Sequence, residues 1–223
     1  MKNERTVPLK AVLFDLDGTL TDPGEGITRS VEYALRAYGI EVKDRRELYP
    51  FIGPPLADSF SRYYGFSEEG AKSAVEKYRE YYRERGIFEN LVYGGIPALL
   101  EALKAKGLSL FLATSKPEEF AEKILSRFSL SPYFTAVFGA TMDGSRVEKE
   151  DVLRYALEKS ALSPEECLMV GDRCFDVEGA RRVGIPAIAV TWGYGSREEL
   201  TAAKPLALAE STEDLLSRIL ALL

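Results

Sequence analysis

Apolar positions follow two periods along the chain, and the change between them divides it. Residues 24 to 39 carry Ile27, Val31, Ala34, Leu35 and Tyr38 at helical spacing. A loop follows at Pro50-Phe51-Ile52-Gly53-Pro54-Pro55, then a helix over about 55–64. Residues 67 to 86 form a long polar helix with an apolar and tyrosine stripe, and Ser67 and Gly86 stand where its caps belong. The stretch 21–92 therefore predicts helices and no convincing strand. From residue 93 the pattern alternates instead. Short apolar runs at 108–114, 135–139, 167–171 and 186–191 read as buried strands with helices between them. This βαβ alternation predicts an α/β fold, a Rossmann-like parallel sheet with helices on both faces.

One more apolar run lies upstream. Residues 12 to 20 read Val-Leu-Phe-Asp-Leu-Asp-Gly-Thr-Leu. Side chains alternate along a strand, so Asp15 and Asp17 point the same way while Leu16 points into the core. Two carboxylates at a strand's end make a divalent-cation site, and one of them can also be a nucleophile. An ordinary Asp-Gly turn would use the same letters. The helical block 21–92 interrupts the alternation just after this strand. It is expected to be an inserted all-helical cap over strand ends where α/β sheets bind ligands. The core is then 1–20 with 93–223.

Other strand ends carry polar groups. The run Leu-Ser-Leu-Phe-Leu-Ala-Thr ends in Thr114, followed by Ser115, Lys116 and Pro117. A hydroxyl there can hold a phosphate oxygen or simply cap a helix. The run Cys-Leu-Met-Val-Gly-Asp-Arg-Cys-Phe-Asp ends in Asp172, with Asp176 one helical turn on. Two such acids repel each other unless a cation or donor lies between them. Lys149 opens a helical pattern after Asp-Gly-Ser-Arg, where a charge is usually solvated.

Taken together, these segments resemble the four motifs of the haloacid dehalogenase superfamily of phosphohydrolases, in the family's order. The resemblance covers about residues 10–205. It implies that Asp15 attacks phosphorus and forms an aspartyl-phosphate. Asp17 would protonate the leaving group and then activate water. Thr114, with Ser115 as the competing hydroxyl, and Lys149 would bind the phosphoryl group. Lys116 is the runner-up for the lysine role and otherwise a supporting residue. Magnesium would be held by Asp15, by Asp17 through its backbone carbonyl and by Asp172, with Asp176 in support.

Details narrow the branch. Asp17 argues against dehalogenases and phosphonate hydrolases, and Thr19 favours phosphatases over sugar-phosphate mutases. The stretches Phe-Ile-Gly-Pro-Pro-Leu, Ala-Thr-Ser-Lys-Pro and Asp-Gly-Ser-Arg resemble phosphoglycolate phosphatase-like proteins, and residues 173–175 lean toward their 5′-nucleotidase subset. The expected activity is magnesium-dependent hydrolysis of a small phosphate monoester. The alternatives are a mutase of the same superfamily and a non-catalytic phosphate-binding protein. The Gly53–Leu56 loop, Arg29 and Arg62 are the candidates for choosing the substrate.

Composition adds exclusions. There is no histidine, which removes Ser-His-Asp hydrolysis, phosphohistidine and histidine-ligated zinc. The net charge of −6 disfavours nucleic acid and acidic membrane surfaces as partners. Two cysteines, Cys167 and Cys174, are too few for a disulfide framework. The polar start, Met-Lys-Asn-Glu-Arg-Thr, does not read as a secretory signal, and no apolar run approaches a membrane span. A cytoplasmic monomer or homodimer is the default expectation.

Overall fold

A computed structural model describes residues 7–223 of the chain, so the reading of the first six residues lies outside it. In chain order the elements are β1 (Ala11–Phe14), β2 (Thr21–Asp22), α1 (Gly24–Arg36), α2 (Leu56–Tyr64), α3 (Glu68–Glu84) and β3 (Leu91–Val92). They continue with α4 (Ile96–Ala105), β4 (Ser109–Pro117), α5 (Glu118–Arg127), β5 (Ala136–Ala140), α6 (Lys149–Ser160), β6 (Cys167–Gly171) and α7 (Cys174–Arg182). The last are β7 (Ala187–Val190), α8 (Arg197–Ala203), β8 (Ala207–Ala209) and α9 (Thr212–Leu220).

Six strands form one sheet in the order β5-β4-β1-β6-β7-β8, parallel at every pairing. The alternation predicted this α/β class, and the structure has it. Its strands read as unbroken apolar runs because both faces are covered. On one face Ala11, Leu13, Phe111, Met169 and Ala187 pack against Val152, Leu153 and Ala156 of α6, Val177 and Ala180 of α7, and Leu200 of α8. Alternation sends Val12, Phe14, Leu110 and Leu112, all fully buried, to the other face. From β1 the chain goes to β4 on one side and out to β5, then crosses back to β6 on the other side of β1. The C-terminal end of β1 is thus the switch point where such sheets open a crevice.

The chain divides into two units. One runs up to Leu20 and resumes at Val92, and the other is Thr21–Leu91. The second unit is built on α1, α2 and α3. Ser67 caps α3 by accepting from the Gly70 N–H at 3.2 Å, as expected. Gly86 does not cap it: α3 ends at Glu84, and Gly86 opens a short 3₁₀ turn, Gly86–Phe88. A further 3₁₀ helix, Arg45–Phe51, takes in Pro50 and Phe51, where the sequence predicts a loop to begin, and the Asp44 side chain accepts from Arg46 N–H. The two-residue strands β2 and β3 pair with each other, so the block is not wholly free of strand. Among the described residues, no helix is long and apolar enough to cross a membrane.

Candidate active site

The site is built where β1, β4 and β6 end side by side. Asp15 and Asp17 follow β1, Thr114 to Lys116 lie at the end of β4, and Asp172 follows β6. Lys149 opens α6 and Asp176 lies in the first turn of α7. Among the described residues, the buried ionisable acids and amines are Asp15, Asp17, Asp172, Asp176, Lys116 and Lys149, all of them in this one place. Buried charges are expensive unless paired, so their convergence marks a function that the core alone would not select.

Lys149 does not behave as a solvated surface lysine. Its Nζ donates to Asp15 Oδ1 at 2.7 Å and to the Ala113 carbonyl at 2.8 Å, and it lies 2.8 Å from Asp176 Oδ1. Burial by itself would favour the neutral amine. The carboxylates of Asp15 and Asp176 outweigh it and hold the ammonium above the ordinary lysine range. Lys116 instead pairs with Asp17 Oδ2, while the other Asp17 oxygen is buried without a hydrogen-bond partner. Burial raises the Asp17 carboxyl above its usual range, and Lys116 opposes that rise. Thr114 is buried, and its hydroxyl accepts from the Lys116 N–H at 3.2 Å; Ser115 is half-buried.

Asp15, Asp172 and Asp176 each bring a carboxylate oxygen to within 4.8 Å of the others. The Asp17 carboxylate is outside this triad, turned to Lys116. Asp172 receives the Thr19 hydroxyl on Oδ1 at 3.1 Å and the Tyr194 N–H on Oδ2 at 2.8 Å. Burial, then the charges of Asp176 and Asp15, push its carboxyl well above the usual range. Asp176 is raised as well, by burial, with Lys149 opposing. Its Oδ2 also accepts from Arg173 N–H at 3.0 Å, so it caps α7 while facing the site.

Four buried carboxyl groups face two buried amines, so with all six ionised the site carries an excess of two negative charges. A divalent cation offsets that excess, and an all-oxygen donor set suits magnesium or calcium rather than zinc. The residues therefore fit a hard divalent ion.

Sequence reasoning missed the groups that hold this arrangement in place. Thr19 was read only as a branch marker, yet its hydroxyl supports Asp172. Glu118 accepts from Gly139 N–H at 3.1 Å and pairs with Arg146, whose guanidinium lies 3.8 Å above the Tyr155 ring. These contacts fix the turn that leads into Lys149. Of the residues considered for substrate choice, Arg29 lies between Glu25 and Glu89, 2.6 Å from each, and Arg62 lies over the Tyr63 ring.

Residues 12–190 match the model of the haloacid dehalogenase-like hydrolases. The chain belongs to this family of enzymes. It is 50% identical over 194 residues to a 5′-nucleotidase of Pseudomonas aeruginosa, covering 87% of this chain and 88% of that one. It is 42% identical over 184 residues to the tyrosine-protein kinase PtkA of Mycobacterium tuberculosis, covering 82% of this chain but only 62% of that protein. A phosphoglycolate phosphatase of Aquifex aeolicus is 32% identical over 196 residues, with 83% and 86% covered. Among solved structures, a predicted phosphatase from Clostridium acetobutylicum superposes with a TM-score of 0.95 at 48% identity, covering 96% of this chain and 99% of that one.

Proposed function

We propose that the protein is a magnesium-dependent phosphomonoesterase acting on a small phosphorylated metabolite, foremost a nucleoside 5′-monophosphate and next 2-phosphoglycolate. The observation that carries this is the gathering of the buried acids and lysines at the ends of β1, β4 and β6. The 5′-nucleotidase relative, at half identity over most of both chains, supports the order of the two substrates.

Asp15 is the nucleophile. Its carboxylate oxygen bonds to phosphorus as the bond to the leaving-group oxygen breaks, and the departing alcohol takes a proton from Asp17. Water then attacks the aspartyl-phosphate, its proton returns to Asp17, and phosphate leaves with Asp15 restored as a carboxylate. Burial, which raises the Asp17 carboxyl above its usual range, suits it to carry that proton. Lys149 holds Asp15 in place and neutralises phosphoryl charge, with Thr114 and Ser115 binding phosphate oxygens. Asp15 and Asp172 would hold magnesium, with the Asp17 carbonyl and Asp176 in support. Its chemistry there is to screen the attacking carboxylate from the phosphate's negative charge. The helical unit supplies the contacts that choose the substrate.

A phosphate-release screen over nucleoside monophosphates, phosphoglycolate, sugar phosphates and pyrophosphate, with magnesium and with EDTA, tests this reading. Release only with magnesium, highest on nucleoside monophosphates, is the expected result. The likeness to PtkA favours a second reading, in which the phosphoryl group passes to a tyrosine hydroxyl instead of water. Label from γ-labelled ATP appearing on a tyrosine peptide, without free phosphate, would support that reading over hydrolysis.

A further inference from the structure

The segment after β7 reads Thr-Trp-Gly-Tyr-Gly-Ser-Arg-Glu-Glu, from Thr191 to Glu199, and belongs to none of the four motifs. It begins tied to the sheet, with the Thr191 N–H donating to the Ala209 carbonyl at 3.0 Å. It then touches the site from three directions. The Trp192 indole N–H donates to the Thr19 carbonyl at 3.1 Å, and the Thr19 hydroxyl in turn donates to Asp172 Oδ1. The Tyr194 N–H donates to Asp172 Oδ2 at 2.8 Å. Glu199, in the first turn of α8, accepts from Arg173 Nε and from the Cys174 N–H, both at 2.9 Å. Asp172 is thus held by its two oxygens, and the residues that follow it are held by Glu199.

Gly193 lets this happen. A Cβ there would stand 2.3 Å from Asp172 Oδ2 and 2.4 Å from the Gly18 carbonyl oxygen. Neither neighbour can yield without displacing the carboxylate or the turn after Asp17. Gly18 meets Asp172 from the other side: it has φ +85° and an added Cβ would lie 2.1 Å from Oδ2. The two glycines thus bring backbone close against the Asp172 carboxylate, where any side chain would collide with it.

We propose that Trp192–Glu199 is a positioning clamp that fixes Asp172 for divalent-cation binding. None of its side chains is a ligand. It acts through Asp172 and Thr19, as outer contacts do when they orient a metal-holding carboxylate. Polar groups already aimed at the carboxylate spare the ion the cost of ordering it. The inference rests on the metal reading of the site.

The test is the affinity of the full chain for magnesium alone, measured by calorimetry and by metal-dependent thermal stabilisation, without turnover. Trp192→Phe keeps an aromatic ring but loses the indole donor; magnesium affinity should fall about three- to tenfold. Gly193→Ala should weaken it about 10- to 100-fold. Leu208→Ala, which removes packing on the partly buried β8, should lower the melting temperature and leave affinity unchanged. If Gly193→Ala does not fold, Trp192→Phe carries the test by itself. Wild-type affinity in Trp192→Phe and in folded Gly193→Ala would overturn the clamp while leaving the metal reading intact. Loss of affinity in Leu208→Ala equal to that in Trp192→Phe would overturn it too. Failure of the wild-type chain to bind magnesium would overturn the metal reading and the clamp with it.

Discussion

The ammonium group of Lys149 lies 2.7 Å from the Asp15 carboxylate, although 134 positions separate the two residues in sequence. The same nitrogen meets Asp176 and the Ala113 carbonyl, so one lysine ties the ends of β1 and β4 to α7. Replacing Lys149 with Met keeps most of the side-chain volume and removes the charge. Asp15 and Asp176 then face each other and Asp172 without compensation. The expected outcome is at least a hundredfold loss in kcat and a metal-free protein destabilised by about 3–5 kcal/mol, the usual cost of breaking a buried pair. Steady-state kinetics and urea unfolding in EDTA measure both.

Asp172 is buried among like charges, and that gives a prediction with a definite sign. Its carboxyl, like that of Asp176, is raised in the folded state above its unfolded value. The folded state therefore holds its proton more tightly. This contribution to stability is complete at pH below about 4 and is lost as pH rises through the folded values. Metal-free protein should lose melting temperature over that range as pH rises. Magnesium, which requires the ionised form, should restore more of it at pH 8 than at pH 5. Asp172→Asn removes the charge, and Thr19 and Tyr194 can still serve an amide. In EDTA at pH 8 it should melt a few degrees above the wild-type chain and gain nothing from magnesium. A wild-type melting curve in EDTA that does not move between pH 5 and pH 8 would count against the raised values.

Much of this arrangement was legible before the structure. Strand ends carrying Asp15, Asp17, Thr114 and Asp172 showed themselves because an apolar run stopped abruptly at a polar residue. Sheet order then made those ends neighbours. The bounds of α1 and α3 came close from periodicity, whereas the 3₁₀ helix at Arg45–Phe51 did not, since it contains Pro50 and has no 3.6-residue repeat. Strand β8 has three residues, too few for a pattern. The burial of Lys149 was hidden because a charged residue at a helix start is ordinarily solvated. Only its long-range partners explain it. The contacts of Trp192, Tyr194 and Glu199 were hidden because their partners lie 22 to 173 positions away, although the Trp-Gly-Tyr-Gly run after an apolar strand was an available cue.

Lys116 and Asp17 form the second buried pair. Lys116 opposes the rise that burial imposes on the Asp17 carboxyl. Removing the lysine, as in Lys116→Met, should push that carboxyl further up. The limb of the pH–rate profile belonging to proton donation by Asp17 should then move to higher pH, with the melting temperature falling. An unchanged profile would separate Lys116 from Asp17 in the reaction.

Replacing the Thr21–Leu91 unit with a short linker should leave a folded sheet, since β1 and β4 to β8 all lie outside it. Turnover of the physiological monoester should collapse, and a small chromogenic ester should lose less. Monodispersity comes first, by light scattering, because an aggregated sample would lose activity on both esters for reasons unrelated to the unit. Equal proportional loss on both esters in a monodisperse sample would remove the unit from substrate choice.

The central claim is that phosphorus is carried by Asp15. Acid-quenching the enzyme during turnover, then mapping hydroxylamine-sensitive phosphate by mass spectrometry, tests it most directly. The account predicts an acyl-phosphate on the peptide containing Asp15, absent without magnesium and absent in Asp15→Asn, whose rate falls by several orders of magnitude. An acyl-phosphate on another residue, or an Asp15→Asn variant retaining more than about a hundredth of the wild-type rate, would contradict it.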